Sequence, residues 1–543
     1  MNVKQEIAEA LNKAIKELGL PDENVVIKLE RPKEEQHGDY SSNIALTLFK
    51  DKGLMINDKE YKTLLELARL IAGKINNSSL IINHCSRIEA APPGFINFWL
   101  SEEYLLSNLE KALDKKEYGS KPQDLNKKVV VEYSSPNISK PFTVGHLRST
   151  IIGDAIANLL DANGWKVYRD NHLGDWGTQF GKQIYAIKTW GDEAKIEKSE
   201  NPVKELVSLY VKFHEEAEKN PELEDRAREW FKKLENGDSE ARRLWKKCVD
   251  WSLQEFKAIY DKLGVKFTEN DGLGYGESFF EDKIKDILEE LNSKKLLKEN
   301  EEAKLVFFPN DKFPPLMIIK KDGATLYATR DLATDKFRLE EHGKGVVIIN
   351  EVGIEQSLYF RQLFELEKML GWVRDGQRIH IKHGHYRFKD EKMSTRKGNT
   401  IWLQEVLGEA IKRAEKLGSE GQGVAEKVGI GALKWNDLKR TSERDIVFDW
   451  DDILNMEGNS GPYIQYTFAR TQSVLAKVKS TIQNSKLKFG LARSHLERIH
   501  LNIARSLLAR LEAEETSLLR TLYRFPEVIE EAASSFAPNI LCN

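Results

Sequence analysis

The sequence predicts an α/β protein in which a parallel-sheet domain lies between a small α+β domain and a C-terminal helical bundle. Three observations support this fold class. The segment KKVVVEYSS (residues 127–135) is a continuous apolar strand of the kind that a parallel sheet buries on both faces. Apolar side chains at helical spacing follow over residues 147–160, and WKVYRD (165–170) then completes a βαβ unit. From residue 406 onwards nearly every segment is typical of helices.

The composition narrows the class of protein. The chain has 543 residues, too many for one ordinary core. Its 40% hydrophobic and 31% charged residues are typical of soluble proteins, and a net charge of −3 leaves any nucleic-acid partner to local basic surfaces. Three distant cysteines without a CxxC pair argue against a disulfide framework and favour a cytoplasmic location. With no signal peptide and no run of about 18 apolar residues, we expect no membrane partner.

The chain is predicted to contain four regions. A polar linker, KKEYGSKPQDLNKK (115–128), marks the first boundary. We predict an α+β domain over 1–118, an α/β domain over 119–405 with a charged helical insertion at about 190–262, a connecting helical region over 406–455 and a helical domain over 456–543. Strand signals return in LVFFP, PLMIIKK, GVVIINEVG and IHIKHGH.

The loop after the first apolar strand is suited to bind a phosphate. In FTVGH (142–146), Gly145 lets a ligand approach the backbone, and a helix starting near His146 directs unpaired N–H groups and its positive dipole end at the same place. His146 adds a hydrogen-bond donor and Lys140 a positive charge. For this stretch alone the alternative stays open that Gly145 only makes a turn and His146 only caps the helix.

A second loop, EKMSTRKGNT (391–400), is cationic and rich in hydroxyl groups. Its Lys392, Arg396 and Lys397 suit a polyphosphate, although most such charge runs are simply solvated. The sequence has no GxxxxGK[ST] motif, so a Walker loop is not the means of holding ATP.

Together the two loops resemble the two signature motifs of class I aminoacyl-tRNA synthetases, in the family's order and some 245 residues apart. Seven segments resemble arginyl-tRNA synthetases in particular: VEYSSPNISKPFTVGHLRSTIIGD, NHLGDWGTQFG, GYGES, LYATRDLA, EQSLYF, KMSTRKG and GNSGPYIQYTFAR. HGDYSSNIAL and APPGFINFWL resemble the additional N-terminal domain of that family. The resemblance covers nearly the whole chain.

This resemblance implies an enzyme that ligates L-arginine to tRNA(Arg) through an arginyl adenylate, with release of pyrophosphate and AMP. It implies a Rossmann-type catalytic domain at 119–405, an additional tRNA-binding domain at 1–118 and an anticodon-binding domain at 456–543. ATP with Mg²⁺ on its phosphates is implied, and no protein-bound zinc. The family's usual form is a monomer that needs bound tRNA before it activates arginine.

The resemblance also assigns site residues by position. The implied catalytic residues are Lys140, His146, Lys392 and Arg396. The implied ATP-binding residues are Thr143, Gly145, His146, His172, Gly174, Asp175, Gly177, Gln179, Lys392, Met393 and Ser394. The implied arginine-binding residues are Glu132, Ser135, Asn137, Tyr327, Asp331 and Gln356. The implied tRNA-binding residues are Tyr463, Gln465, Tyr466 and Arg470.

Within that arginine set, Tyr327 and Asp331 would lie against the guanidinium. Glu132, Asn137 and Gln356 would bind the backbone end of the substrate. Taken alone, Asp331 would more simply be a helix-surface acid paired with Arg330 or Lys336. Tyr327 would be a half-buried core aromatic and Gln356 a surface amide.

The sequence departs from the family in three places. Thr143 stands where the first signature histidine is usual, and Thr395 where the class I motif has its second lysine. The final EEAASSFAPNILCN resembles the start of a helix that continues in the family, so we expect an incomplete anticodon-binding domain with part of its apolar face bare.

Three histidines, His380, His383 and His385, raise the possibility of a metal. On a strand His383 and His385 would face together while His380 faces away, and no cysteine or acid lies beside them at ligand spacing. We therefore expect no zinc site.

Other functions stay open beside the arginine ligase. They are a non-catalytic tRNA-binding relative, a class I ligase for another amino acid such as glutamate or lysine, and a small nucleotidylyltransferase. LYATRD fits a glutamate or lysine pocket poorly, and nucleotidylyltransferases are far shorter.

Overall fold

The computed structural model describes residues 3–20, 26–49, 54–56, 59–76, 81, 83–114, 117–321, 325–388, 401–418, 421, 423–489 and 511–543. They divide into two compact units. The N-terminal unit comprises Met1–Gly119 and Ser485–Glu527, and the central unit comprises Ser120–Asn484 and Val528–Asn543. This division runs across the predicted region 456–543, whose parts belong to different units.

The N-terminal unit is an antiparallel sheet covered by helices. Its helices are α1 (Val3–Glu17), α2 (Ile44–Leu48), α3 (Leu64–Ile75) and α4 (Glu102–Asp114), and its strands are β1 (Leu29–Glu30), β2 (Tyr40–Ser42), β3 (Leu54–Ile56), β4 (Lys59–Tyr61), β5 (Cys85–Ala91) and β6 (Phe95–Leu100). Four strands pair in the order β1-β2-β6-β5, and β3 and β4 form a separate hairpin. On α1, Ile7 and Leu11 are buried at helical spacing, so this face packs into the core. The predicted α+β class is confirmed.

The central unit is built on a parallel sheet. β7 (Asp124–Glu132), α5 (Val144–Ala162) and β8 (Trp165–Asp170) form the predicted βαβ unit. Val129 and Val131 join one apolar cluster and Val130 joins another, so β7 is buried on both faces, as its unbroken apolar run predicts.

A group of helices follows β8: α6 (Gln179–Trp190), α7 (Glu193–Lys198), α8 (Pro202–Lys219), α9 (Glu222–Glu235) and α10 (Ser239–Leu263). The charged segment that the sequence predicts to be helical forms α7 to α10. Phe213 on α8 and Leu234 on α9 are fully buried, so each helix turns its apolar side inwards and its charges outwards.

The next strands lie outside the parallel sheet. The elements are α11 (Ile284–Ser293), β9 (Leu297–Asn300), β10 (Ala303–Val306), β11 (Leu316–Ile319) and α12 (Tyr327–His342). PLMIIKK contains β11, whereas LVFFP overlaps β10 only at Leu305 and Val306. β11, β10 and β9 pair antiparallel in a small sheet of their own. Their partner β9 reads LKEN, which carries no strand signal.

β12 (Val347–Gly353), α13 (Ser357–Met369) and β13 (Arg378–His383) complete the parallel sheet, whose order is β13-β12-β7-β8. β8 lies on one side of β7 and β12 on the other, which creates a switch point between β7 and β12. Open α/β sheets bind ligands outside the carboxyl ends of strands at such a point, so a site is expected near Glu132, Asp170 and Gly353.

The rest of the chain is mainly helical, as predicted. Its elements are β14 (Tyr386–Phe388), α14 (Leu403–Lys416), α15 (Val424–Leu438), β15 (Ile446–Phe448), α16 (Trp450–Ile453), α17 (Gly461–Phe489), α18 (Ala513–Ser534) and α19 (Pro538–Cys542). The exception is β15, which pairs in parallel with β14. With the parallel sheet, the α+β unit and the helical C-terminal part, the predicted fold class is confirmed.

The apolar side of α18 is covered only in part, since Leu518, Leu522 and Phe525 are exposed, and the predicted incompleteness of this domain stays a prediction. Leu519 is buried in the apolar core of the N-terminal unit, and Tyr523 packs against that core. Arg520 Nε lies 3.2 Å from Oδ1 of the buried Asp39. Apolar and ionic contacts therefore fix this part of the helix.

In the central unit, the end of α18 packs on α5. Ala532 and Ala533 are buried together with Leu159 of α5. Among the described residues, no helix is both long and apolar enough to cross a membrane.

Candidate active site

The start of α5 is an ordered helix N-terminus at the carboxyl end of β7. Thr143 is the N-cap, and its backbone N–H donates to Nδ1 of His146 over 3.0 Å. Burial lowers the pKa of His146 to about 4, so the ring is neutral near pH 7. Since Nδ1 accepts a hydrogen bond, the ring proton belongs on Nε2, which leaves one donor for a ligand.

Gly145 leaves the helix N-terminus open. It is exposed, and a Cβ at this position would meet only Thr143 Oγ1, at 3.4 Å. The N–H groups of this turn and the positive end of the helix dipole are thus accessible to an anion. Lys140 is exposed on the preceding loop, which adds positive charge nearby. These residues fit a phosphate, as the sequence predicts.

Two loops of the predicted site meet at Asn137 and Gly174. Ile138 N–H donates to the Gly174 carbonyl over 3.1 Å, and Gly174 N–H donates to the Pro136 carbonyl over 3.2 Å. A Cβ on Gly174 would lie 2.3 Å from Oδ1 of Asn137, so only glycine allows this approach. Ser135 and Asn137 are exposed on the β7 side of the junction.

The described chain resumes beside the first signature. Lys392, Met393, Ser394 and Arg396 lie outside the described residues. The chain is described again from Ile401, whose carbonyl accepts from Val144 N–H over 3.1 Å. Leu403 N–H donates to the Phe142 carbonyl over 2.8 Å. The residues that follow the cationic loop are therefore hydrogen-bonded to the start of α5.

Asp331 lies in a pocket of aromatic and imidazole groups. The Tyr359 hydroxyl donates to Asp331 Oδ2, and the Tyr327 and Tyr359 rings meet edge to face with centroids 4.6 Å apart. Burial raises the pKa of Asp331 to about 6, against the opposing effect of His172. The alternative of a surface acid paired with Arg330 or Lys336 is wrong, because Arg330 pairs with Glu277 and Lys336 with Glu290.

The sequence pattern missed Tyr359, although it lies in the quoted segment EQSLYF, three residues after Gln356 and thus on the same helical side. Gln356 itself is exposed at the start of α13.

His172 lies in the Asp331 pocket, and its predicted contact near the adenosine stays a prediction. Its Nε2 is 3.8 Å from Asp331 Oδ1, and its Nδ1 is 3.0 Å from the Tyr275 carbonyl. Burial acts to lower the pKa of His172, but the carboxylates of Glu132 and Asp331 outweigh it and leave the pKa raised. Nε2 is buried and has no hydrogen-bond partner among the described residues.

Glu132 is held from inside the protein by a buried arginine. Arg338 Nη1 lies 2.6 Å from Glu132 Oε2, and Arg338 Nη2 lies 2.6 Å from Asp170 Oδ2. Asp335 adds a third carboxylate, at 3.2 Å from Nη1. Glu132 is therefore fixed at the end of β7, whereas its predicted contact with the substrate stays a prediction.

A second arginine extends this network. Arg378 contacts Asp335 at 2.6 Å and Glu367 at 3.0 Å. Burial raises the pKa of Glu367 well above its ordinary value. We call the set the buried ion cluster: Glu132, Asp170, Asp335, Arg338, Glu367 and Arg378. The raised pKa of Glu367 favours its neutral form, and the three other carboxylates still outnumber the two guanidinium groups. Asp331 adds one more carboxylate, so the region favours a cationic ligand.

The carboxylate of Asp175, predicted to bind ATP, is hydrogen-bonded to Ser278. It is buried, and its two oxygens accept from Ser278 N–H at 2.8 Å and Ser278 hydroxyl at 2.6 Å. It thereby holds the loop GYGES against the loop after β8. Beyond it, Gln179 donates to the Trp176 carbonyl over 2.9 Å, and a Cβ on Gly177 would lie 2.6 Å from Gln179 Oε1.

The residues predicted to contact tRNA lie along the first turns of α17. Tyr463 and Tyr466 are exposed, and Arg470 donates to the Tyr466 hydroxyl over 3.3 Å. Gln465 differs from them, because its amide donates to the Lys427 carbonyl over 2.8 Å and so ties α17 to α15.

The three histidines near β13 have separate environments. His383 Nδ1 lies 2.8 Å from the buried Glu351, and His380 Nε2 lies 3.1 Å from the Val352 carbonyl. β13 ends at His383, so the strand alternation does not reach His385, which is exposed. Within the described ranges, no group of three or more histidine, cysteine or acidic residues is arranged to hold a metal.

Comparisons with known proteins agree along the chain. Residues 1–100 match the family model of the arginyl tRNA synthetase N-terminal domain, residues 108–450 that of the class I (R) tRNA synthetase catalytic domain, and residues 464–543 that of the DALR anticodon binding domain.

Two similar proteins are arginine–tRNA ligases. That of Halothermothrix orenii is 38% identical over 554 aligned residues, covering 100% of this chain and 90% of the relative. That of Exiguobacterium sp. is 42% identical over 486, covering 88% and 82%.

Two solved structures share the fold. The Plasmodium falciparum arginyl-tRNA synthetase superposes with a TM-score of 0.76 at 24% identity, covering 99% of this chain and 89% of that one. The Thermus thermophilus arginyl-tRNA synthetase gives 0.75 at 22% identity, covering 100% and 89%. With a catalytic-domain model spanning residues 108–450 and relatives about 40% identical over most of the chain, this protein belongs to the arginyl-tRNA synthetase family.

Proposed function

We propose that this chain ligates L-arginine to tRNA(Arg) at the expense of ATP. In the first step an arginine carboxylate oxygen attacks the α-phosphorus of ATP, which forms arginyl adenylate and releases pyrophosphate. In the second, a ribose hydroxyl of the terminal tRNA adenosine attacks the arginyl carbonyl, which releases AMP. The observation that carries the proposal is an acid-rich pocket at Asp331 on the same sheet edge as the open N-terminus of α5.

The Asp331 pocket suits the guanidinium of arginine. An ionised carboxylate offers the bidentate contact that a planar guanidinium fork favours, and the Tyr327 face adds an aromatic surface. The excess acid of the buried ion cluster supports a bound cation. Glu132, Ser135, Asn137 and Gln356 are proposed for the substrate's backbone end, and Ser135 and Asn137 are exposed at the junction of the two loops.

The start of α5 suits the ATP phosphates. The N–H groups after Thr143 and the Nε2 proton of His146 can stabilise the charge that develops as pyrophosphate leaves. Lys140, Lys392 and Arg396 are proposed to add positive charge, and the glycines at 145, 174 and 177 to admit the nucleotide. Mg²⁺ bound to the phosphate oxygens would supply further charge neutralisation.

We propose that α17 contributes to tRNA binding through Tyr463, Tyr466 and Arg470, which present aromatic and cationic groups on one exposed side. Gln465, tied to α15, is proposed to orient that surface. The domain roles, a monomeric state, a cytoplasmic location and a requirement for tRNA during activation remain predictions from the sequence.

Arginine-dependent exchange of pyrophosphate into ATP, measured with and without tRNA, tests the first step. Exchange that needs arginine supports the proposal, and its absence in both conditions refutes it. Mass spectrometry of the amino acid esterified to bulk tRNA tests the specificity. Glutamate or lysine in place of arginine would identify a class I ligase of another kind.

A further inference from the structure

Arg148 is a fully buried cation on α5, two residues after His146. Its side chain is 1% exposed, as is that of its partner Asp437. Burying a guanidinium is unfavourable unless its donors are paired, because the ion loses its hydration. The contacts of Arg148 therefore show what this position holds together.

The hydrogen bonds of its guanidinium all go to the end of α15 and to the loop that follows. Arg148 Nε is 3.0 Å and Nη2 is 3.3 Å from the two oxygens of Asp437. Nη1 donates to the Arg444 carbonyl over 2.8 Å, and Nη2 donates to the Ser442 carbonyl over 3.0 Å. One side chain of α5 thus fixes a whole loop through an ion pair and two backbone bonds.

The same loop fixes the strand β14. The Tyr386 hydroxyl donates to Asp437 Oδ2 over 2.6 Å, and burial raises the pKa of Tyr386 well above its ordinary value, so this donor keeps its proton. Gly384 N–H donates to the Ser442 carbonyl over 3.0 Å. Asp437 and Ser442 therefore each bind Arg148 on one side and the β14 region on the other.

The approach at Gly384 is close. A Cβ there would lie 2.7 Å from the Arg444 carbonyl carbon and 2.8 Å from the Asp445 nitrogen, so the backbones of the two segments are in direct contact. β14 and β15 also pair directly, with Tyr386 opposite Ile446. The path from α5 to β14 is therefore short and packed throughout.

We propose that Arg148 is a positioning residue for the ATP-dependent step, which holds the helix turn carrying Gly145 and His146 in a fixed place relative to β14. This inference rests on the proposed function. Donors that stabilise a transition state must be placed to within a fraction of an ångström, so loosening this turn lowers the rate of activation. Among the described contacts, none links Arg148 to Asp331, His172 or Tyr359, so arginine binding is left intact.

Arg148→Lys is the first test. Lysine can still pair with Asp437, but it cannot also reach both carbonyls with the geometry of a guanidinium fork. In arginine-dependent ATP–pyrophosphate exchange with tRNA present, we expect kcat to fall about 10- to 100-fold while KM for arginine stays within about twofold. An unchanged kcat in a folded variant, or a parallel rise in KM for arginine, overturns the inference.

Tyr386→Phe is a second test of the same contacts, which remains available if Arg148→Lys fails to fold. It removes only the hydroxyl on Asp437, and we expect kcat to fall about two- to tenfold. Tyr40→Phe is the matched control, because the Tyr40 hydroxyl also donates to a carboxylate, that of Glu527, but in the N-terminal unit. At saturating tRNA its kcat should equal that of the wild type.

The same assay separates the two proposals. If the wild type shows no arginine-dependent exchange, the proposed function is wrong and this inference falls with it. If the wild type is active and Tyr386→Phe matches Tyr40→Phe, the inference about Arg148 is wrong and the proposed function stands.

Discussion

The carboxylate of Asp331 and the imidazole of His172 face each other, with 3.8 Å between Oδ1 and Nε2. They come from α12 and from the loop after β8, so the fold unites residues that are distant in sequence. His172 is buried and Asp331 is half-buried, both close to the carboxylate of Glu132, and each alters the protonation of the other. A guanidinium entering here would meet negative charge that the protein's own cations do not fully balance.

Asp331→Asn should lower the affinity for arginine and leave the fold intact. The variant keeps the shape of the side chain but loses the charge that pairs with the guanidinium. We expect a loss of about 1.5–3 kcal/mol, which is roughly a 10- to 150-fold rise in KM for arginine. Steady-state aminoacylation at varied arginine measures it. Asp282→Asn, at a site where the aspartate side chain is 79% exposed, should change nothing. Equal KM values in all three proteins would disprove the pocket assignment.

The affinity for arginine should depend on pH through Asp331. Its pKa is raised to about 6, so the carboxyl is ionised above that pH and neutral below it. Only the ionised form pairs with a guanidinium, so kcat/KM for arginine should fall as pH drops below about 6, with His172 and Glu132 as the coupled groups that face it. In Asp331→Asn this limb of the profile should flatten. A wild-type profile that is level from pH 5 to 8 would count against the raised pKa.

The raised pKa of Asp331 also affects folding stability, which should fall as pH rises, whereas arginine binding should improve. The folded-state pKa lies above the ordinary value of 3.8, so the folded protein binds this proton more tightly than the unfolded chain does. The contribution of Asp331 to stability is therefore largest below about pH 4 and is lost as pH rises through 6. Without arginine, Asp331→Asn should melt at no lower temperature than the wild type at pH 7.5. A clear fall in melting temperature would contradict this.

His146 should contribute to the rate of activation through Nε2. His146→Gln keeps a side chain that can accept from Thr143 N–H, as in a capping box, whereas His146→Ala loses the cap and the donor together. We expect both to lower kcat of pyrophosphate exchange about 10²–10³-fold with little change in KM for arginine. Only His146→Ala should also lose about 1 kcal/mol of stability. If His146→Ala exchanges at the wild-type rate, the histidine is a cap and not a catalytic donor.

Gly145→Ala should separate stability from nucleotide binding. The added methyl meets nothing closer than 3.4 Å, and alanine favours a helix over glycine by up to about 1 kcal/mol, so the fold should tolerate or gain from it. The methyl would nevertheless lie where a phosphate approaches, so KM for ATP should rise. Thermal melting and ATP titration measure the two effects. Gly174→Ala is the contrasting variant, because its Cβ would clash with Asn137 at 2.3 Å and should destabilise the loop.

α18 should be protected from hydrogen exchange where its apolar side is covered. We expect slow exchange near Leu519 and near Ala532, which are both buried. Leu519→Ala should remove about 2–5 kcal/mol of local stability and accelerate exchange around it. Leu518→Ala is the neighbouring control, since Leu518 is 61% exposed. Equally fast exchange in both variants and the wild type would mean that this helix is not held as described.

Local sequence patterns predicted the elements of the central unit well where the pattern alone determines the structure. The apolar run of β7 and the helical spacing of α5 needed no distant partner to be recognised. β9 was missed because its sequence, LKEN, becomes a strand only through pairing with β10. β15 was missed for a similar reason, since it pairs with β14 across some sixty residues of chain.

The candidate site shows the same limit more sharply. Family motifs pointed to Asp331 and Asp175 alike. Asp331 lies in the acid-rich pocket, whereas both carboxylate oxygens of Asp175 accept hydrogen bonds from Ser278. The difference depends on which side chains lie close together in the folded chain. Ion pairs such as that between Glu132 and Arg338 join residues that are distant in sequence, so no sequence periodicity predicts them. Reading the role of His172 likewise required knowing that α12 passes beside the loop after β8.

The N-terminal unit contains two segments that are far apart in the chain, so it cannot be completed until the second segment has been synthesised. Asp39 and the core around Leu519 take part of their packing from residues 511–527, roughly 400 residues after Gly119. A ribosome adding about 5–20 residues per second needs roughly 20–80 s to make that segment after the first 119 residues have emerged. Throughout that interval, Asp39 and the apolar core of the nascent unit lack the partners that residues 511–527 supply. Because this apolar surface is exposed, the unit is then most prone to aggregation and most in need of a chaperone.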